Sequence, residues 1–207
     1  MSSHISMLID YFSRGGVIML PLIAVSLLMW GVIIYRLIML RQLYRHQVSP
    51  QQAGAWLRAG EVPAQMPQQG ITALLMAAFM RRRSGEPRLD RYVMDEAIMV
   101  VDSELERGLT LIGVLAAIAP LLGLLGTVLG MIGTFDTIAV FGTGNARAMA
   151  GGISQALITT QTGLLIAIPG LYMRNFLQRR AANLHQHLES LGLALKRDLL
   201  SVAQEGQ

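Results

Sequence analysis

A chain of 207 residues with 14% charged side chains, 53% hydrophobic ones and a mean hydropathy of +0.47 is too apolar for an ordinary soluble domain, of which about a quarter is charged. Its 17 Lys and Arg outnumber its 13 Asp and Glu, yet the basic residues alternate with acids, which excludes a phosphate-tracking stripe and hence nucleic acid as a partner. The absence of cysteine excludes disulfides, thiolate nucleophiles and thiolate metal sites.

In chain order, residues 1–14 are expected as an outer, periplasmic segment. Gly15 to Tyr35 then holds no Asp, Glu, Lys, Arg or His and is closed by Arg14 and Arg36. It is long enough to cross a bilayer, which needs roughly 20 residues, and defines a first transmembrane helix over 15–40. The uncharged run exceeds a signal-peptide core and no A-x-A-like site follows it, so a permanent anchor is expected.

The next region, 41–107, is expected as a cytoplasmic helical loop. Pro50, Gly54, Gly60, Pro63, Pro67 and Gly70 divide its first half into short helices joined by turns. The triplet Arg81 to Arg83 is its densest basic spot, for which anionic lipid headgroups are the expected partner. Ser84, Gly85, Glu86 and Pro87 mark a break, with Pro87 suited to the first helical position. From Leu89, the residues Val93, Ala97, Val100, Val101 and Leu105 recur at helical spacing while Asp90, Asp95, Asp102 and Glu106 point elsewhere. That pattern predicts an amphipathic helix running without interruption through Gly108 into the next span.

Gly108 to Phe135 and Ala148 to Met173 again lack every charged residue and histidine, and give transmembrane helices over 108–135 and 148–173. A short periplasmic loop, 136–147, joins them; within it Asp136 is expected as a solvated boundary residue. Pro21, Pro120 and Pro169 fall in or near the spans and are candidate kinks. Beyond Arg179 and Arg180, the residues Leu184, Leu188, Leu191, Leu195 and Leu199 continue at spacings of three and four, so 174–207 is expected as a cytoplasmic carboxy-terminal helix with a frayed end at Gln204 to Gln207. Arginines and lysines cluster in 36–107 and after 173, which places those regions in the cytoplasm and the amino terminus outside. The fold class is therefore an all-α membrane protein with three transmembrane helices, two of them very long and extending into the cytoplasm.

Within the second span, Gly123, Gly126, Gly130 and Gly133 stand three and four apart and leave one face almost bare, suited to close helix packing. Thr127 and Thr134 share a face. In the third span Gln155, Thr159 and Thr162 share one, with Thr160 about 100° away, and Ser154 and Gln161 add further polarity. An unpartnered amide in hydrocarbon costs on the order of several kcal/mol, so this series is expected to line a hydrated or protein-filled interior. No carboxylate lies at membrane depth; if the chain conducts ions, a partner supplies the charge. His185 and His187 are two apart and point to different faces, which argues against a shared metal, and His4 and His46 have no companions. No nucleophile elbow, phosphate loop or zinc spacing occurs, so an enzyme is not expected.

The segments APLLGLLGTVLGMIGTF, Ala119 to Phe135, and GGISQALITTQTGLLIAIPGLYMRNFL, Gly151 to Leu177, resemble the MotA/TolQ/ExbB proton-channel family and are most similar to its ExbB branch. The resemblance implies a bacterial inner-membrane energiser with no cofactor. In it a homo-oligomer of five subunits encloses the helices of an ExbD-like single-span protein that carries a membrane Asp, and the motion is passed to a TonB-like protein that opens outer-membrane transporters. It also implies that Thr127 and Thr160 line the interior, and that the transported ion is H+ or Na+. Where many ExbB proteins have Glu, Gln155 stands here, and an amide cannot relay protons. A TolQ-like subunit of the Tol-Pal envelope system and a non-conducting membrane scaffold are the alternatives; a flagellar stator subunit would carry four spans.

Overall fold

The computed structural model describes residues 15–45, 50–59, 70–142 and 145–205. The expected outer segment 1–14, with Arg14 and His4, lies outside them, as do His46, the turns expected at Gly60, Pro63 and Pro67, and the last residues Gly206 and Gln207. Among the described residues there are six helices: α1 (Met19–Arg45), α2 (Pro50–Ala59), α3 (Ile71–Met80), α4 (Pro87–Glu106), α5 (Leu109–Phe141) and α6 (Ala146–Glu205). No strand occurs among the described residues. Among the described residues three helical stretches are long and apolar enough to cross a membrane: Met19–Tyr44 in α1, Arg88–Phe141, which takes in α4 and α5, and Ala146–Leu199 in α6. Pro120 lies inside α5 and Pro169 inside α6, neither ending its helix.

The chain forms two compact units. The first comprises residues up to Ile34 together with Thr110–Asn175. Its core is Ile18, Met19 and Leu22 of the first segment, Ala119 of α5 and Ala167 of α6, flanked by Val25, Leu122 and Ile166. Small residues dominate the α5 and α6 contributions, and Gly170 lies against both Met29 and Ala116, which is where the three helices meet. The outward surface is apolar: Leu27, Leu28, Leu121, Leu124, Phe135, Leu165 and Ile168 are all exposed. In lipid such a surface costs nothing, which is how a unit with so small a core is stable.

The second unit comprises Tyr35–Leu109 and the residues from Phe176 onward. Its core includes Leu40 and Leu43 of α1, Ile71, Leu75, Met76 and Phe79 of α3, and Met94, Ala97, Val101 and Leu105 of α4. Leu184, Leu188, Leu191, Leu195 and Leu199 of α6, the expected stripe, are all buried. The helix itself continues to Glu205, so Gln204 and Glu205 are helical rather than frayed.

Two expectations for α4 are corrected. The helix is not continuous into the second span: Arg107 leaves the helical region at φ −54°, ψ 132°, and Gly108 takes φ 81°, a conformation open to glycine at little steric cost. The last carbonyls of α4 are satisfied instead by a side chain of α1, because Arg36, 2% exposed, donates from Nη2 to the carbonyl of Glu104 at 2.9 Å and also to that of Leu105. The buried face is also rotated from the expected one. Leu89 and Val100 are exposed and Val93 is half-buried, while Met94 and the acid Asp90 are buried. Asp90 accepts from the Ser84 backbone N–H at 2.7 Å and the Ser84 hydroxyl at 2.9 Å, and pairs with Arg83, so it ties the 84–86 break to the helix that Pro87 begins.

Candidate functional site

The uncharged polar residues gather along the line where α5 meets α6 in the first unit. Gly123, Gly126 and Gly130 make the approach possible. A Cβ at Gly123 would stand 3.0 Å from the Thr159 carbonyl oxygen and 3.1 Å from Cα of Thr160, and one at Gly130 would stand 2.7 Å from the Gly152 carbonyl oxygen. Gly126 faces the Thr159 side chain still more closely. From the other side, Gly163 packs on the Ala119 carbonyl and Gly152 on Gly130 and Thr134. Gly133 differs: nothing lies within 4 Å of the position its Cβ would take, so this glycine takes no part in the contact.

This packing sorts the hydroxyls into three settings. Thr159, fully buried, and Thr134, 4% exposed, sit inside the α5–α6 contact. Thr127 and Thr160 lie on one flank of it, each half-buried. Thr160 bridges the helices, its hydroxyl reaching the Gly123 carbonyl at 3.3 Å as well as the Ala156 carbonyl of its own helix at 3.2 Å. Thr127 is one helical turn beyond Gly123 on the same flank. Gln155 and Thr162 lie on the opposite flank, where Gln155 abuts Gly16 at the entry to α1. The shared face of Gln155, Thr159 and Thr162 is thus divided between two neighbours, because α1 competes with α5 for the surface of α6. Gln161 is exposed and, with half-buried Ser154, turns away from α5.

A common pattern runs through the series. Each threonine hydroxyl donates to a backbone carbonyl: Thr127 to Leu124 at 2.6 Å, Thr134 to Gly130 at 3.0 Å, Thr159 to Ala156 at 2.9 Å and Thr162 to Ile158 at 2.8 Å. The single proton of each hydroxyl is committed to backbone, and what remains available is acceptor lone pairs. A wall of this kind can accept a hydrogen bond or coordinate a cation. It cannot itself take up and release a proton in the physiological range.

Outside the first unit, His185 of α6 has its Nδ1 2.5 Å from Asp102 of α4 and its Nε2 3.4 Å from Glu189. The hydrogen bond to Asp102, aided by the charges of Asp102, Glu189 and Glu106, raises its pKa above the ordinary value against a smaller opposing effect of burial. Among the described residues no group of three His, Asp or Glu side chains is placed to hold a metal. Asp136, past the expected end of the second span, is exposed. Sequence reasoning missed the roles of Arg36 and Asp90: an arginine closing a span and an acid in an amphipathic helix carry the same signature whether solvated or buried.

Comparison with known proteins places the chain among relatives. The profile of the MotA/TolQ/ExbB proton channel family matches residues 64–190. An ExbB-like biopolymer transport protein of Synechocystis sp. (ExbB-like 1) is 33% identical over 170 residues, covering 78% of this chain and 66% of that protein. A second from the same organism (ExbB-like 3) is 32% identical over 175 residues, covering 78% of this chain and 80% of that protein. The biopolymer transport protein ExbB of Xanthomonas campestris pv. campestris is 38% identical over 84 residues, 41% of this chain and only 33% of that protein's length. With its three membrane-crossing helices, the protein is a multi-pass protein of the bacterial inner membrane, and the chain belongs to the MotA/TolQ/ExbB proton channel family.

Proposed function

We propose that the protein is the ExbB-like subunit of an ion-driven motor that energises TonB-dependent transport across the outer membrane. Five copies surround an ExbD-like partner, whose single span carries the aspartate that binds the ion. The reading is supported above all by the division of hydrogen-bonding capacity: the hydroxyls of the α5–α6 line keep their lone pairs and have no proton to give. A carboxylic acid on a partner helix supplies the missing donor, and as a carboxylate it takes up the ion. Thr127 and Thr160, on the flank of the contact, are the lining residues. Thr134 and Thr159 hold α5 and α6 together behind them, and Gln155 seats α6 against the entry to α1.

The distribution of arginine and lysine orients the chain with its amino terminus outside. The second unit then lies in the cytoplasm. The transported ion is H+, with Na+ as the alternative that the same acceptors would serve; a dependence of uptake on sodium at fixed pH distinguishes them.

The test is Thr160→Val in cells lacking the native chain. This near-isosteric change removes the lone pairs and one interhelical hydrogen bond of about 0.6 kcal/mol, too little to unfold the unit. Energised uptake is expected to vanish while membrane protein levels stay normal, and Thr160→Ser, which restores the acceptor, is expected to retain uptake. Normal uptake by the valine variant would show that the hydroxyl merely joins helices.

A further inference from the structure

The second unit contains a cavity of about 770 Å³ lined by Ile38, Arg41, Gln42 and Tyr44 of α1 and by Arg180 and Asn183 of α6. Its chemistry is one-sided: two guanidiniums, two amides and a phenol, with no carboxylate in the lining. Several other cations of this unit lie beside acids: Arg82 pairs with Glu96, Arg83 with Asp90, Arg107 with Glu104 and Lys196 with Asp95. Arg41 and Arg180 form no ion pair with any described residue. Arg180 is held in place nonetheless, its guanidinium 4.8 Å from the centre of the Phe176 ring, one turn earlier on the same helix. Two cations converging on one concavity without a counter-charge repel each other, and an arrangement of that kind is stable when an anion bridges them.

Depth indicates the anion. Arg41 is six residues past Tyr35, the last residue of the uncharged run of α1, and Arg180 is seven past Met173, the last of the run of α6. At 1.5 Å per residue both stand roughly 10 Å beyond the hydrocarbon edge, within or at the rim of the headgroup layer. Ile38, half exposed, extends the cavity lining one turn back toward the hydrocarbon side, where an acyl chain would lie. We propose that this cavity binds the phosphate of an anionic phospholipid, gripped by the guanidiniums of Arg41 and Arg180 and hydrogen-bonded by Tyr44, Gln42 and Asn183. The site is distinct from the Arg81–Arg83 triplet, two of whose members are already paired with acids. Basic pockets at this level of a membrane protein take up anionic headgroups by the same chemistry.

The full-length protein in detergent, followed by native mass spectrometry, tests the assignment with phosphatidylglycerol, phosphatidylcholine and inorganic phosphate as probes. Each arginine near a headgroup contributes about fivefold in affinity, so Arg41→Gln with Arg180→Gln is expected to weaken phosphatidylglycerol binding about thirtyfold and abolish its preference over phosphatidylcholine. Arg81→Gln with Arg82→Gln is expected to leave that preference intact, and millimolar inorganic phosphate is expected not to displace the lipid. The single Arg180→Gln, expected to cost about fivefold, carries the test should the double variant fail to fold. Unchanged phosphatidylglycerol affinity in these variants overturns the site. Tight competition by inorganic phosphate overturns the lipid as its ligand in favour of a soluble one. Dissociation of the oligomer in the variants, with lipid affinity unaltered, would instead assign the two arginines to acids of a neighbouring copy and overturn it as well.

Discussion

A guanidinium that is 2% exposed needs acceptors for its donors, and Nη2 of Arg36 finds them at the carbonyls of Glu104 and Leu105, in the last turn of another helix. Removing it leaves those carbonyls buried and unpaired. Arg36→Leu is therefore expected to destabilise the second unit by about 1–3 kcal/mol, read as a lower denaturation midpoint of the full chain in detergent. An unchanged midpoint would mean that water reaches the carbonyls and the arginine is dispensable. His185 is a second single-residue lever. Because Asp102 raises its pKa in the folded chain, the pairing contributes fully at pH values below the ordinary histidine pKa and is lost as pH rises through the higher folded value. The wild-type chain is expected to lose thermal stability through that window, and His185→Asn is expected to flatten the loss. Both partners are more than a third exposed, so the change is modest. Parallel melting profiles of the two proteins would remove the histidine from the account.

At the scale of elements, the contact between α5 and α6 depends on glycines of unequal importance, although all four share a helical spacing. Gly126 is pressed against the Thr159 side chain, whereas Gly133 meets nothing within 4 Å. Gly126→Ala is expected to cost roughly 1–3 kcal/mol by forcing the helices apart. Gly133→Ala is expected to be neutral or to stabilise by about 0.5–1 kcal/mol, through the helix preference of alanine. Equal effects of the two changes on melting in detergent would count against the packing described. The same contrast shows what could be read from sequence. The leucines from Leu184 to Leu199 were unambiguous because only one face of α6 is apolar there. In α4 the apolar residues surround the helix, and the choice of Met94, Ala97 and Val101 over Leu89 and Val100 is made by neighbours, among them Gly192, whose missing side chain admits Ile98. The break at Gly108 was hidden for a related reason: helical periodicity continues across it, while the cap that stabilises it is contributed by Arg36, far away in sequence. For the polar series, the shared faces were legible in the spacing, but not which flank faces α1 and which α5.

For the whole molecule, the decisive property is that no acidic, basic or imidazole group lies within the runs Gly15–Tyr35, Gly108–Phe135 and Ala148–Met173. A charge at the centre of a bilayer costs at least about 2.5–3.5 kcal/mol even on permissive scales, so ions cross where titratable or coordinating groups divide the barrier into steps. Here the threonine hydroxyls offer acceptor lone pairs but do not titrate, and their protons are already donated to Leu124, Gly130, Ala156 and Ile158. A hydrogen-bonded relay needs each member to pass on a proton it has received, and a hydroxyl fixed on a helix carbonyl can do so only by breaking that bond. The purified chain in liposomes, under a pH gradient with a potassium diffusion potential, is therefore expected to pass no protons beyond the leak of empty vesicles. Co-reconstitution with a single-span protein bearing one membrane aspartate is expected to give flux, and changing that aspartate to asparagine is expected to abolish it. The comparison separates wall from carrier. If the chain alone carries robust flux, the acceptors of Thr127 and Thr160 form a water-filled conduit by themselves and no second polypeptide is needed to bring the acid.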